Sequence, residues 1–295
     1  MPAHPISSPR LTEMAESLNL RAPAKLNLML HITGRRDDGY HLLETVFQFI
    51  DLVDHIEFIT NDEGRIERLP GNSPVDTAGD ILLTTASMLQ SRFQVDRGVS
   101  INIDKRIPIG GGLGGGSSDA AACLLALNRL WGLDLSLDQL AGIGLELGAD
   151  VPVFVRGRAA WASGIGEVLQ PIELEQPIYL VINPKIAVST AQIFAAQELT
   201  RNCDPITIRA FLRGSGNNVC ESVVRKLYPQ VGEAIDWLNQ HAAARMSGTG
   251  ACVFAPIDSL EQAEVVKSRV PRQWDAYVTR AMNCSPVHQQ LGLLD

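Results

Sequence analysis

The chain has 295 residues, 45% of them hydrophobic and only 5% aromatic, with a formal net charge of −8. That length accommodates one large or two medium domains with a sizeable core. The acidic balance excludes a broad nucleic-acid-binding face, so any phosphate binding must be local. The five Cys stand far apart with no C-x-x-C pair, and the six His lack H-E-x-x-H spacing. No resident metal-ligand set is therefore expected, and the thiols are expected to be free in a reducing cytoplasm.

Residues 1–20 contain Pro2, Pro5 and Pro9 and no apolar run long enough for a signal segment or a membrane span. They are expected to form a flexible tail, with Met14 as an alternative start. Leu26, Leu28, Leu30 and Ile32 then alternate with Lys25, Asn27, Met29 and His31, the period-two pattern of a half-buried strand with Lys25 and Asn27 on one face. Asp38-Gly39 marks a turn, and the apolar residues from Leu42 to Phe58 predict further strands joined by a bend near Asp51–Asp54. After a polar loop from Asn61 to Gly79, Ile81–Phe93 has helical spacing, with Leu82, Ala86 and Leu89 on one face. Val99, Ile101 and Ile103 predict a strand whose apolar phase resumes at Ile107 and Ile109.

Six glycines occupy the seven positions 110–116, and Ser117-Ser118-Asp119 leads into the apolar run Ala120–Trp131. The order is strand, loop, buried helix, with Ser or Asp expected at the N-cap and Gly132 beyond the last turn. A further helix is predicted over Leu137–Leu147, between Ser136 and Gly148, followed by strands at Val151–Val155 and Ala159–Trp161. Pro171–Pro177 is the candidate domain boundary, dividing 21–170 from 171–295. The second half predicts a strand at Ile178–Ile182, helices near Ala191–Glu198, Val219–Leu227 and Gly232–Ala244, and a strand at Ala251–Phe254 behind Ser247-Gly248-Thr249-Gly250. A helix near Leu260–Ser268 and a strand near Tyr277 close the chain. Mixed elements without regular βαβ alternation predict an α+β fold in both halves.

A glycine loop opening a helix is an anion site, because backbone N–H groups approach the ligand without Cβ obstruction and the helix N-terminus carries partial positive charge. The P-loop pattern fails, since Gly116 is followed by Ser117 where that pattern needs Lys. A dinucleotide fingerprint can be laid on Gly110, Gly112 and Gly115, but no strand ending in an acid follows at the required distance. Phosphoryl transfer further needs a group that takes or orients the acceptor proton and a cation facing the transferred oxygens. Asp150, among apolar neighbours at a helix end, and Lys25, inside an apolar strand, are the candidates; composition alone leaves open a turn-forming Asp and an edge Lys. Tyr40-His41 offers an aromatic face and a hydrogen-bonding ring to a planar ligand.

Pro23-Ala24-Lys25-Leu26-Asn27, Asp38-Gly39-Tyr40-His41, Pro108–Ala121, Gly148–Pro152 and Ser247–Ala251, in this order and spacing, resemble the GHMP kinases. The likeness covers about residues 21–255 and is nearest to the members that act on a cytidine-diphosphate-linked methylerythritol. It implies two domains, an N-terminal one of the ribosomal protein S5 type and a ferredoxin-like C-terminal one, with the ligands between them. It implies transfer of the ATP γ-phosphate to the 2-hydroxyl of that small-molecule substrate, with Mg²⁺ accompanying ATP, in the non-mevalonate route to isoprenoid precursors. Sister kinases for homoserine or mevalonate, and a non-catalytic nucleotide-binding protein, are the alternatives.

By the same resemblance, Asp150 takes or orients the hydroxyl proton and Lys25 holds Asp150 and offsets charge. Pro108, Ile109, Gly110, Gly111, Gly112, Leu113, Gly114, Gly115, Gly116, Ser117 and Ser118 wrap the phosphates, with Ser117 or Ser118 the candidate contact to Mg²⁺. Asn27 and Thr190 position polar groups of the substrate. Tyr40 and Phe194 hold the cytosine ring, His41 reads its edge and Phe47 completes that pocket; Ala191 stands where the family often has Pro. The expected partners are small molecules, neither nucleic acid nor membrane, and the expected assembly is a monomer or weak homodimer.

Overall fold

In the computed structural model the described residues are 15–37, 39–70 and 79–293. The first fourteen residues of the expected tail, and Asp38 of the expected turn, lie outside them. Strand β1 (Ser17–Arg35) begins inside the residues expected as a tail and runs antiparallel to β2 (His41–Asn61), from Ser17 opposite Ile59 to Arg35 opposite His41. Between them Gly39, at φ +93°, donates to the Arg36 carbonyl, a backbone conformation that favours glycine.

The predicted half-buried strand is buried on both faces from Ala22 to Ile32, because chain from the glycine run and from the second half lies across the face that carries Lys25 and Asn27. The predicted bend near Asp51–Asp54 does not break β2. The register slips between Pro23 and Ala24, which face Val53 and Ile50, so Asp51 and Leu52 form a bulge within one continuous strand. The Asp51 carboxylate accepts from the Thr279 hydroxyl and from the Arg280 amide at 2.7 Å.

Strand β3 (Ile66–Arg68) lies in the expected polar loop, parallel to β4 (Gly98–Asp104), which pairs with β2. Helix α1 (Ile81–Phe93) is capped by Asp80, whose carboxylate accepts from the Leu82 amide, and buries Leu82, Ala86 and Leu89. Each buried Leu of that kind contributes roughly 1.5–3 kcal/mol. Helix α2 (Gly115–Leu130) starts inside the glycine run with Gly114 as its N-cap, earlier than the Ser or Asp cap expected. It is followed by α3 (Leu137–Leu147), which has a full Ser136–Gln139 capping box.

Val151–Val155 was expected as a strand and is helical, within α4 (Val151–Arg156). Pro152 in the first turn presets helical φ, and Gly157 at φ +65° ends the helix. Its apolar side chains pack against α2 and α3, and a short all-apolar run has no periodicity that separates a buried strand from a buried helix.

Strands β5 (Ala160–Ser163) and β6 (Val168–Pro171) form a hairpin on β2. The second half contributes β7 (Ile178–Asn183), α5 (Thr190–Ala195), α6 (Ile208–Leu212), α7 (Glu221–Leu227), α8 (Pro229–Leu238), β8 (Arg245–Met246), β9 (Val253–Ile257), α9 (Leu260–Lys267), β10 (Asp275–Met282) and α10 (Pro286–Leu291). Strand β10 joins the two halves: it pairs with β7 along its length and with β2 at Ala281 and Met282, just beside the bulge. The strand order is β3-β4-β2-β10-β7-β9-β8.

One core lies under α1–α4 and a second under the helices of the second half. A third, around Leu26, Met29, Val46, Ile50 and Phe254, welds them together. Val287 and Leu291 of α10 return to the first core. The result is the mixed two-domain α+β architecture expected from the order of elements.

Candidate active site

Gly110, Gly112 and Gly114 adopt φ of +71°, +74° and +72°. At Gly112 the left-handed backbone coincides with close approach, since a Cβ there would lie 2.4 Å from the Ser247 carbonyl oxygen and 2.8 Å from that of Gly250. The Ser247–Gly250 loop and the glycine loop thus fit backbone against backbone, which is what small residues in both permit. The Ser247 hydroxyl donates to the Gly112 carbonyl at 2.9 Å, and the Cys252 amide to that of Gly111 at 3.0 Å.

Residues Pro108–Ser117 line a cavity of about 400 Å³ at the N-terminus of α2, with Lys105, Asp119, Arg68 and Asp80 on its other walls. The amides of the first helical turn have no partner within the helix, so they supply the donors and partial positive charge that hold an anion. Ser118 does not line the cavity. Its hydroxyl is buried behind the loop without a partner, as is Asp119 Oδ1.

Sequence reasoning missed the buried cluster at the floor of this cavity. Lys105 Nζ lies 2.6 Å from Asp54 Oδ2 and 2.5 Å from Asp119 Oδ2. The other oxygen of Asp54 accepts from the amides of Arg106 and Ile107, at 2.5 and 2.8 Å, so one fully buried carboxylate fixes the chain entering the glycine loop. Burial, with Asp54 beside it, pushes the Asp119 carboxyl up to about 8 against the opposing pull of Lys105. The two carboxylates hold the Lys105 ammonium above its ordinary range in spite of burial. The signals were an acid within the apolar run of β2 and another opening a buried helix.

Lys25 is 3% exposed, and its ammonium reaches Asp150 Oδ2 at 3.1 Å, Asn27 Oδ1 at 2.5 Å and the Gly112 carbonyl at 3.1 Å. The Phe47 ring lies beneath it, 5.4 Å from Nζ to the ring centroid. Asn27 uses both ends of its amide, accepting from Lys25 and donating to Thr45 Oγ1 at 2.8 Å. The structure thus joins Asn27, expected to position polar groups of the substrate, directly to the Lys25 ammonium. Asp150 precedes α4 and makes no capping bond with its side chain; one third of that side chain is exposed. The turn-forming role that composition left open is therefore not what its carboxylate does.

Tyr40, His41 and Phe194 line a second cavity, about 620 Å³, whose wall includes Ala149, the residue before Asp150. His41 and Phe194 stack with centroids 5.1 Å apart and planes at 21°. Phe47 is not brought to this cavity: it is 2% exposed in the first core, because its place on β2 turns it under Lys25. Thr190 opens α5 and meets the Thr249 hydroxyl at 2.8 Å, beside the Ser247–Gly250 loop. The Lys25–Asp150 pair accordingly lies between a glycine-lined cavity suited to phosphates and an aromatic one suited to a planar ring. Among the described residues no group of three or more His, Cys, Asp or Glu is placed to hold a metal ion, and no helix is long and apolar enough to cross a membrane.

Residues 80–158 match the model of the GHMP kinases N terminal domain, and 196–276 that of the GHMP kinases C terminal domain. A 4-diphosphocytidyl-2-C-methyl-D-erythritol kinase of Nitrosococcus oceani is 54% identical over 264 residues, covering 90% of this chain and 94% of that protein. Its counterpart from Chromohalobacter salexigens is 49% identical over 286 residues, covering 95% and 96%. A crystal structure of a 4-(cytidine 5'-diphospho)-2C-methyl-D-erythritol kinase superposes with a TM-score of 0.78 at 30% identity, covering 90% of this chain and 99% of that one. A homoserine kinase from Cytophaga hutchinsonii, at 16% identity and a TM-score of 0.62 over 94% of this chain and 97% of its own, shares the fold. The chain belongs to the GHMP kinases, in the branch of the 4-diphosphocytidyl-2-C-methyl-D-erythritol kinases.

Proposed function

We propose that the protein transfers the γ-phosphate of ATP to the 2-hydroxyl of 4-diphosphocytidyl-2-C-methyl-D-erythritol, with Asp150 and Lys25 as the catalytic residues. The observation that carries the reading is the position of the Lys25–Asp150 pair, bonded to the glycine loop through Gly112 on one side and adjoining the aromatic cavity through Ala149 on the other. The acceptor proton passes to the Asp150 carboxylate as the hydroxyl oxygen bonds to the γ-phosphorus, and the bond from that phosphorus to the bridging oxygen of ADP breaks. Lys25 orients the carboxylate and offsets charge on the transferred oxygens. The amides of the glycine loop and of the first turn of α2 hold the phosphates, and Tyr40, His41 and Phe194 receive the cytosine ring.

A Mg²⁺ ion accompanying ATP would be held at the start of α2 by Ser117 and Asp119, which line the glycine-loop cavity and of which Asp119 Oδ1 is without a partner. Such an ion takes oxygen ligands, retains waters and neutralises phosphate charge. Thr190, bonded to Thr249, would meet polar groups of the acceptor. ATP consumption measured with the cytidylyl acceptor, homoserine and mevalonate tests the reading. Turnover is expected with the first alone, and comparable turnover of either other alcohol would remove the substrate assignment.

A further inference from the structure

Arg201, in the segment after α5, directs its guanidinium at groups of the aromatic cavity. Its Nη2 donates to the carbonyls of Phe194 at 2.9 Å and Ala196 at 2.6 Å, and its Nη1 to Leu199 at 3.1 Å. Its Nε donates to His41 Nε2 at 3.2 Å. A guanidinium has only donors. His41 Nε2 must therefore present a lone pair, which leaves the ring neutral with its proton on Nδ1. The charged groups facing the ring among the described residues are Arg201 and Arg35, which lies opposite His41 across β1 and β2. Burial first, then these two cations, hold the imidazole below its ordinary range. Among the described residues no carboxylate acts on the ring to favour an imidazolium.

The ring edge remaining for a ligand is a donor only. The N3 atom of cytosine accepts a hydrogen bond, whereas N3 of uracil carries a proton and donates. A fixed Nδ1–H complements the first and opposes the second, and a site that leaves buried polar groups unpaired rejects the wrong ring strongly. We infer that Arg201 is a specificity-determining positioning residue, which fixes His41 as a one-way donor and so favours a cytosine over a uracil ring. The inference rests on the cytidylyl reading above. The same guanidinium also holds the Phe194 backbone, so the donor and the ring stacked on it are set by one side chain.

The test joins a spectroscopic and a kinetic measurement on the full chain. Nitrogen-15 NMR of histidine-labelled protein should show His41 protonated at Nδ1 and bare at Nε2, and Arg201→Gln should bring in the Nε2–H tautomer. The ratio of kcat/KM for the cytidylyl acceptor to that for its uridylyl analogue should fall at least tenfold in Arg201→Gln, through KM of the cytidylyl acceptor. Arg201→Met, which removes the donors and offers His41 no acceptor, should lower the ratio too and serves if the Gln variant does not fold. A wild-type His41 protonated at Nε2, or a parallel loss for both acceptors, would overturn the inference. A wild type that turns over no cytidylyl acceptor would instead remove the function reading, while the tautomer still reports on the Arg201–His41 pair.

Discussion

Lys25 Nζ and Asp150 Oδ2 are 3.1 Å apart, one on β1 and the other at the start of α4. The glycine loop closes over them, because the Lys25 amide donates to the Leu113 carbonyl and its ammonium to that of Gly112. Removing the ammonium leaves Asn27 Oδ1 and the Gly112 carbonyl without that donor, and the transferred oxygens without a facing cation. Lys25→Met is expected to lower kcat by about 10²–10³, the range for deleting one preorganised donor, measured by steady-state kinetics at saturating ATP.

Two glycines of one loop should respond oppositely to a methyl group. Gly112→Ala meets the Ser247 and Gly250 carbonyls in a left-handed backbone, so the loop must shift and thermal stability should fall. Gly116 has a helical place and open space where its Cβ would be. Gly116→Ala should retain or raise apo stability by about 0.5–1 kcal/mol, while its methyl faces the cavity and raises KM for ATP. Melting curves and ATP titrations of the two variants separate these effects.

Asp54 is fully buried with three hydrogen bonds, two of them from the amides that lead into the glycine loop. Asp54→Asn breaks a buried charge pair and presents an NH₂ to a cluster of donors, at a cost of about 3–5 kcal/mol. The urea midpoint should fall accordingly, and KM for ATP should rise as the entry to the loop loosens.

His288 is 1% exposed, with Nε2 on the Val155 carbonyl and Nδ1 buried without a partner. Burial chiefly, with Arg158 adding to it and the Val155 carbonyl opposing, holds the imidazole below its ordinary range. With the folded value lower than the unfolded one, of about 6.5, the unfolded chain takes up the proton first. Its stabilising contribution is complete above about pH 6.5 and declines as the pH falls below it. The stability advantage of wild type over His288→Gln should therefore shrink between pH 7.5 and 5.5; an advantage independent of pH would contradict this.

Local chemistry was legible in the sequence where one segment decides its own structure. The boundaries of α1 and α3 follow from their periodicity and caps, and their observed residues are those expected. Lys25 and Asp150 stood out because a charge in an apolar setting is visible in one dimension. The helix at Val151–Arg156 and the burial of both faces of β1 were not legible, since both are imposed by segments distant in the chain. Lys105 and Arg201 carry no signal of their own in the sequence; their meaning lies in pairing with Asp54, Asp119 and His41.

The most direct test of the central claim compares wild type with Asp150→Asn on the cytidylyl acceptor, alongside the ATP-induced shift in melting temperature. On the proposed reading the carboxylate acts on the acceptor proton, and it does not line the glycine-loop cavity. Turnover should fall by about 10²–10⁴ while the ATP-induced shift is retained. Unchanged turnover in Asp150→Asn would contradict the account.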